Sequence, residues 1–152
     1  MKSVKDVAEL ERFIGKSLSY YYPAYEGHHD GIYISGVAVN LVENIKNGDS
    51  SAIEIGCQII VYDPGLPFGK LIKSNIARAL KKQVLSIDSE HAQHICTLTS
   101  RLLSMEYCPR ELEDYCKLVK RLGKDMAKNT IENSNAIDAK SMRLVSYLAD
   151  NA

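Results

Sequence analysis

The sequence predicts an all-α protein, six or seven helices stacked as antiparallel pairs. Three observations lead there. Apolar residues recur at spacings of three and four along most of the chain. The β-branched residues sit at those helical positions instead of alternating as a strand requires. Pro, Gly and Asn fall between the periodic segments, where they leave mostly short links.

The pattern is clearest from Asp49 to Lys82. A helix is expected over about Ser51–Val61, with Ser51 and Glu54 spaced as a capping box and Ile53, Cys57 and Ile60 on one face. Asp63-Pro64-Gly65 stops it. Pro67 stands where a missing N–H is no loss, at the start of a second helix whose apolar face is Phe68, Ile72, Ile76, Ala79 and Leu80.

Before this pair, Val7, Leu10, Ile14 and Leu18 predict a helix over Val4–Leu18, and Ile34, Val37, Ala38, Leu41 and Ile45 predict another over about Ile32–Lys46. Asn47-Gly48 ends the latter. After the pair, cap-type residues at Ser86–Ser89 open a helix running to about Ser104 through Ile95, Leu98 and Leu102. Cys108-Pro109 closes it and Pro109 opens the next, with Leu112, Tyr115, Cys116, Val119 and Leu122 as its stripe and Gly123 as its cap. Residues 124–136 are polar and lose the period, so they read as a linker to a last helix carrying Ile137, Met142, Leu144, Val145 and Leu148.

At 152 residues, with 45% hydrophobic and 25% charged residues, the chain fits a single globular domain spanning residues 1–152. Nineteen basic residues balance nineteen acidic ones, so no global field draws in nucleic acid or an anionic membrane. No apolar run approaches the roughly 18 residues of a spanning helix. The start MKSVKDVAELERF carries acidic residues where a signal peptide would have its apolar core, and a cytoplasmic protein is expected. Four cysteines, Cys57, Cys96, Cys108 and Cys116, show no CxxC spacing and read as reduced.

The helical pairs would stack in the manner of HEAT or armadillo units, although a compact bundle satisfies the same spacings. The run from Gly48 to Gly123 resembles a bacterial family of short HEAT-like helical proteins. The pieces that carry the resemblance are NGDSSAIEIGCQIIVYDP, PFGKLIK followed by ARALKK, and PRELEDYCKLVKRL. It maps recurrent positions onto Asp63, Phe68, Gly69, Arg78, Leu80, Arg110, Glu111, Tyr115 and Cys116, while Lys70 stands where similar sequences place an aromatic. The resemblance implies a helical-repeat domain without established enzymatic activity. Some similar small helical proteins are immunity proteins that neutralise a bacterial toxin, so the implied partner is a protein, such as a secreted toxin domain.

The residues themselves offer few carriers of chemistry. There is no phosphate-binding glycine loop and no nucleophile elbow, and no cofactor is expected. His91 and His94, at i and i+3, lack a third ligand in a zinc pattern and read as surface residues. Glu111 and Asp114 read as a helix start balanced against its dipole, with Lys117, Lys120, Arg121 and Lys124 at the other end. Lys70, Lys73, Arg78, Lys81 and Lys82 could extend those cations into a phosphate-binding patch, but no aromatics interleave them.

The segment SYYYPAYEGHHDG, from Ser19 to Gly31, is the oddity. Five of the nine tyrosines fall between Tyr20 and Tyr33. Exposed tyrosines favour interfaces because a rigid ring supplies contact area at low entropic cost, whereas buried ones would plug an end of the stack. On the interface reading the partner-binding residues are Tyr21, Tyr22, Tyr25, His28, His29 and Asp30. The alternative is a small enzyme or metal protein using Glu26, His28, His29 and Asp30.

Overall fold

The computed structural model describes residues 3–23, 34–66 and 69–150. Among them are eight α-helices: α1 (Val7–Ile14), α2 (Ile34–Lys46), α3 (Ser50–Tyr62), α4 (Gly69–Lys81), α5 (Ser89–Leu103), α6 (Leu112–Leu122), α7 (Lys124–Glu132) and α8 (Ala139–Ala149). The described residues contain no strand; an isolated bridge joins Ser3 to Gly65.

Local chemistry sets the helix ends. Asp6 accepts a hydrogen bond from the Glu9 N–H to start α1, and Gly15 ends it in the left-handed region at φ 73°, where a side chain would be strained. The expected extension to Leu18 therefore does not form. Leu18 is buried all the same, its N–H donating to Glu11 Oε2 at 2.6 Å. At α3 the capping box expected from Ser51 and Glu54 is replaced by Asp49, whose carboxylate accepts from the Ser51 N–H. Glu54 reaches instead to Lys16 at 2.8 Å. Asp63 terminates α3 at φ 51°, a left-handed conformation that aspartate tolerates better than most residues.

The helices fall into two layers. In one, α2 packs beside α4 and α4 beside α6; in the other, α3 packs beside α5 and α5 beside α7. The sequential pairs α2–α3, α3–α4, α5–α6 and α6–α7 join the layers, α1 rests on α3, and α8 closes over α7 and α6. This is an all-α arrangement of packed helix pairs, as the apolar spacings predict, with eight helices among the described residues where six or seven were expected.

Ile45, Ile60, Ile76, Leu80, Ile95, Leu103 and Leu118 are completely buried between the layers. Each such side chain is worth about 2–5 kcal/mol against truncation to Ala. The tightest approach is at Gly56 on α3, where a Cβ would lie 2.8 Å from Ile45 Cδ1 and 3.2 Å from Ile76 Cγ2. A side chain at this position would have to displace Ile45 and Ile76 for α3 to settle between α2 and α4.

Residues 124–136, read from sequence as a linker, contain α7. Its buried residues are Ala127 and Thr130, and Ser100 Oγ on α5 donates to the Thr130 carbonyl at 2.8 Å. A small residue and a hydroxyl that bonds back to its own helix, at Met126 O, make this buried face look polar in sequence.

Candidate functional site

Helix α4 carries the two most informative features of the surface and core, one on each flank. Toward α6 lies a buried ionic network. Lys73 is 2% exposed, and its Nζ donates to Asp63 Oδ1 at 2.6 Å and lies 3.8 Å from Glu111 Oε2. Arg78 Nε holds Asp114 Oδ1 at 3.1 Å, and Arg101 reaches Asp63 Oδ2 at 3.9 Å. Three carboxylates thus face three cations, so each of the buried carboxylates has an opposite charge beside it.

Tyr115 is fully buried beside them, and its hydroxyl makes no hydrogen bond among the described residues. Burial, then the charges of Glu111, Asp63 and Asp114, hold its pKa well above the ordinary tyrosine value. The network fastens the end of α3 and the start of α6 to α4. Glu111 and Asp114, read from sequence as a helix start balanced against its dipole, stand at the start of α6 but are buried and paired with cations, and the buried Lys73 is not available to the phosphate-binding patch that was weighed.

Toward α2 the flank is open. A groove of about 610 Å³ runs between α2 and α4, floored by Ala38, Val42, Ile72 and Ala79 and flanked by Val39 and Leu71. Val39 is 63% and Leu71 58% exposed. Glu43, Lys46, Arg78 and Lys82 supply its charges. The two helices run in the same direction, since Gln83 Nε2, just past α4, donates to the carbonyl of Lys46 at the end of α2.

The tyrosine segment is described as far as Pro23. Tyr21 is buried, its hydroxyl donating to Asp49 Oδ2 at 3.2 Å and its carbonyl accepting from Asn40 Nδ2 at 3.0 Å. Tyr22 is half-buried and donates to Glu11 Oε2 at 2.9 Å. Both pKa values are raised, chiefly by burial. Of the two readings left open for these rings, burial against α1, α2 and α3 describes Tyr21 and part of Tyr22, while among the described residues of the segment the ring of Tyr20 is exposed. Tyr25, Glu26, His28, His29 and Asp30 lie outside the described residues.

The remaining candidates are surface features. His91 and His94 line a groove of about 320 Å³ between α3 and α5, together with Gln58, Tyr62 and Arg101. The His91 ring is engaged by Asp88, Nδ1 to Oδ2 at 2.8 Å, and this carboxylate is held below its ordinary pKa by the His91 backbone N–H and ring. Among the described residues no group of three or more His, Cys, Asp or Glu is placed to hold a metal ion. Lys117 pairs with Glu113 at 3.7 Å, and Lys120 donates to the Tyr147 carbonyl at 2.9 Å while lying over its ring.

All four cysteines are free. Burial pushes the thiols of Cys57 and Cys116 up to about 12 and raises that of Cys96. No described helix is long and apolar enough to cross a membrane. Sequence reasoning missed both flanks of α4. The signal for the groove was there in the exposed-face residues Val39 and Leu71, apolar positions off the core stripe of their helices. Comparison of the chain with protein-family models, curated proteins and solved structures finds no match.

Proposed function

We propose that this chain is a non-catalytic protein-binding module that presents the α2–α4 face to its partner. Within that class, the proposed role is that of an immunity-type protein covering the active site of a cognate bacterial toxin. The observation that carries the binding reading is the groove itself. Val39 and Leu71 stand more than half exposed on either side of an apolar floor, at a seam between two rigid helices. Apolar side chains held open in this way, with charges at one end, are the features by which helical surfaces recognise other proteins. The toxin as partner class rests on the sequence resemblance alone.

The test is a titration of the purified chain with the toxin domain encoded beside its gene, followed both by calorimetry and by the toxin's own activity. A stoichiometric complex that suppresses the activity is expected. Leu71→Glu together with Val39→Glu should weaken it by at least about a hundredfold, as the loss of two central contacts implies. A complex indifferent to both substitutions would remove the groove from the interface and with it this reading.

A further inference from the structure

We infer that the α2–α4 groove takes an amphipathic helix whose apolar stripe ends in carboxylates. This rests on the reading of the groove as a protein-binding surface and names what fills it. The lining has a repeating register. On α2 it follows Ser35, Val39, Val42 and Lys46, and on α4 it follows Leu71, Asn75, Arg78 and Lys82. Both series step by four, three and four residues, so each is one straight stripe of its helix. From Leu71 to Lys82 that stripe is about 16 Å long at 1.5 Å per residue, the length of a three-turn guest helix.

The groove is also polarised. Because α2 and α4 run the same way, their early positions lie at one end and their late positions at the other. Val39, Leu71, Ala38 and Ile72 make the first end apolar, and Lys46, Arg78 and Lys82 make the second cationic. One carboxylate, Glu43, lies among these cations and approaches Lys46 at 3.4 Å. That pair is exposed at both ends, which makes it worth little and easily exchanged.

Among the described residues Arg78 holds Asp114 through Nε and makes no other ion pair, and its side chain remains 60% exposed, which leaves its Nη groups for a second carboxylate. Lys82 makes no ion pair among the described residues. The carbonyl of Lys46, which would repel an incoming carboxylate, is already covered by Gln83. The cationic end thus has unspent charge directed at a guest, and the apolar end has exposed surface to bury. A guest satisfies both when its apolar residues, spaced three and four apart, are followed two to three turns later by Glu or Asp.

The probes are three labelled 15-residue helical peptides with Leu at positions 2, 5 and 6 and with Glu, Gln or Lys at positions 10, 13 and 14. Their affinity for the full chain is read by fluorescence anisotropy at low and high salt. The Glu peptide should bind at least about tenfold more tightly than the Lys peptide at low salt, and the preference should shrink as salt screens it. Lys82→Glu should reverse the order, while Leu71→Ser should weaken all three. Equal binding of the Glu and Lys peptides overturns the charge assignment.

No binding of any peptide, in a protein whose toxin complex is broken by Leu71→Glu, overturns the helical guest and leaves the binding surface standing. A toxin complex insensitive to Leu71→Glu defeats the underlying reading instead. Dimerisation abolished by Leu71→Glu, seen by sedimentation, would assign the groove to a second copy of the chain and also overturn the inference.

Discussion

The two flanks of α4 are built from similar residues and behave in opposite ways. Facing α6, Lys73 meets Asp63 and Glu111 in the interior and the seam is closed. Facing α2, Lys82 meets no carboxylate among the described residues and the seam is a groove. The difference lies in the neighbour, since the start of α6 supplies Glu111 and Asp114 whereas α2 offers Glu43 alone. A cation on a helix is structural or available according to what the next helix in its layer brings opposite it.

The largest effect is expected on the closed flank. Lys73→Ala leaves Asp63 and Glu111 buried without their shared cation and should cost about 3–5 kcal/mol in urea unfolding. Lys73→Met combined with Asp63→Asn and Glu111→Gln should recover much of that loss, because the cost comes from stranded charge more than from a missing attraction. If Lys73→Ala unfolds like the parent chain, the two flanks do not differ as described.

An intermediate effect belongs to the floor between them. Gly56→Ala forces a methyl against Ile45 and Ile76 and should cost about 1–3 kcal/mol, with the loss reduced by Ile45→Val, which removes the nearest methyl. Thermal melts of the two single variants and the double variant measure this coupling, and strict additivity would argue against the close contact. The smallest effect is on the open flank. Leu71→Ser and Val39→Ser should each shift stability by no more than about 0.5 kcal/mol, since neither side chain leaves water on folding to any large extent. A larger loss would show that the groove wall is part of the core.

Much of the fold was legible because the strongest signal, apolar period, is also what holds the stack together. The α3–α4 and α5–α6 cores follow from Ile53, Ile60, Ile76, Leu80, Ile95 and Val119 standing at helical spacings. Helix α7 was hidden because Thr130 and Ala127 do the work of larger apolar residues there. Asp49 was passed over as a cap because Ser51 and Glu54 matched a capping box two positions later.

The site was less legible for a different reason. Asp63, Lys73 and Glu111 are 10 and 38 residues apart along the chain in order, and nothing in a one-dimensional pattern distinguishes a buried lysine from a solvated one on the same helix. The groove depends likewise on residues from two helices whose register becomes visible only when they are laid side by side. Tyr21 and Tyr22 were open to either reading, and the hydrogen bonds to Asp49 and Glu11 decide it.

Arg78 belongs to both flanks at once, lining the groove while holding Asp114 on α6. A carboxylate that enters the groove and engages this guanidinium draws on the same charge that anchors α6. The two sides of the layer are then thermodynamically linked: whatever strengthens the grip on Asp114 weakens the grip on the guest, and by the same factor in reverse. If the proposed guest binds as inferred, this one arginine couples occupancy of the groove to the seam between α4 and α6.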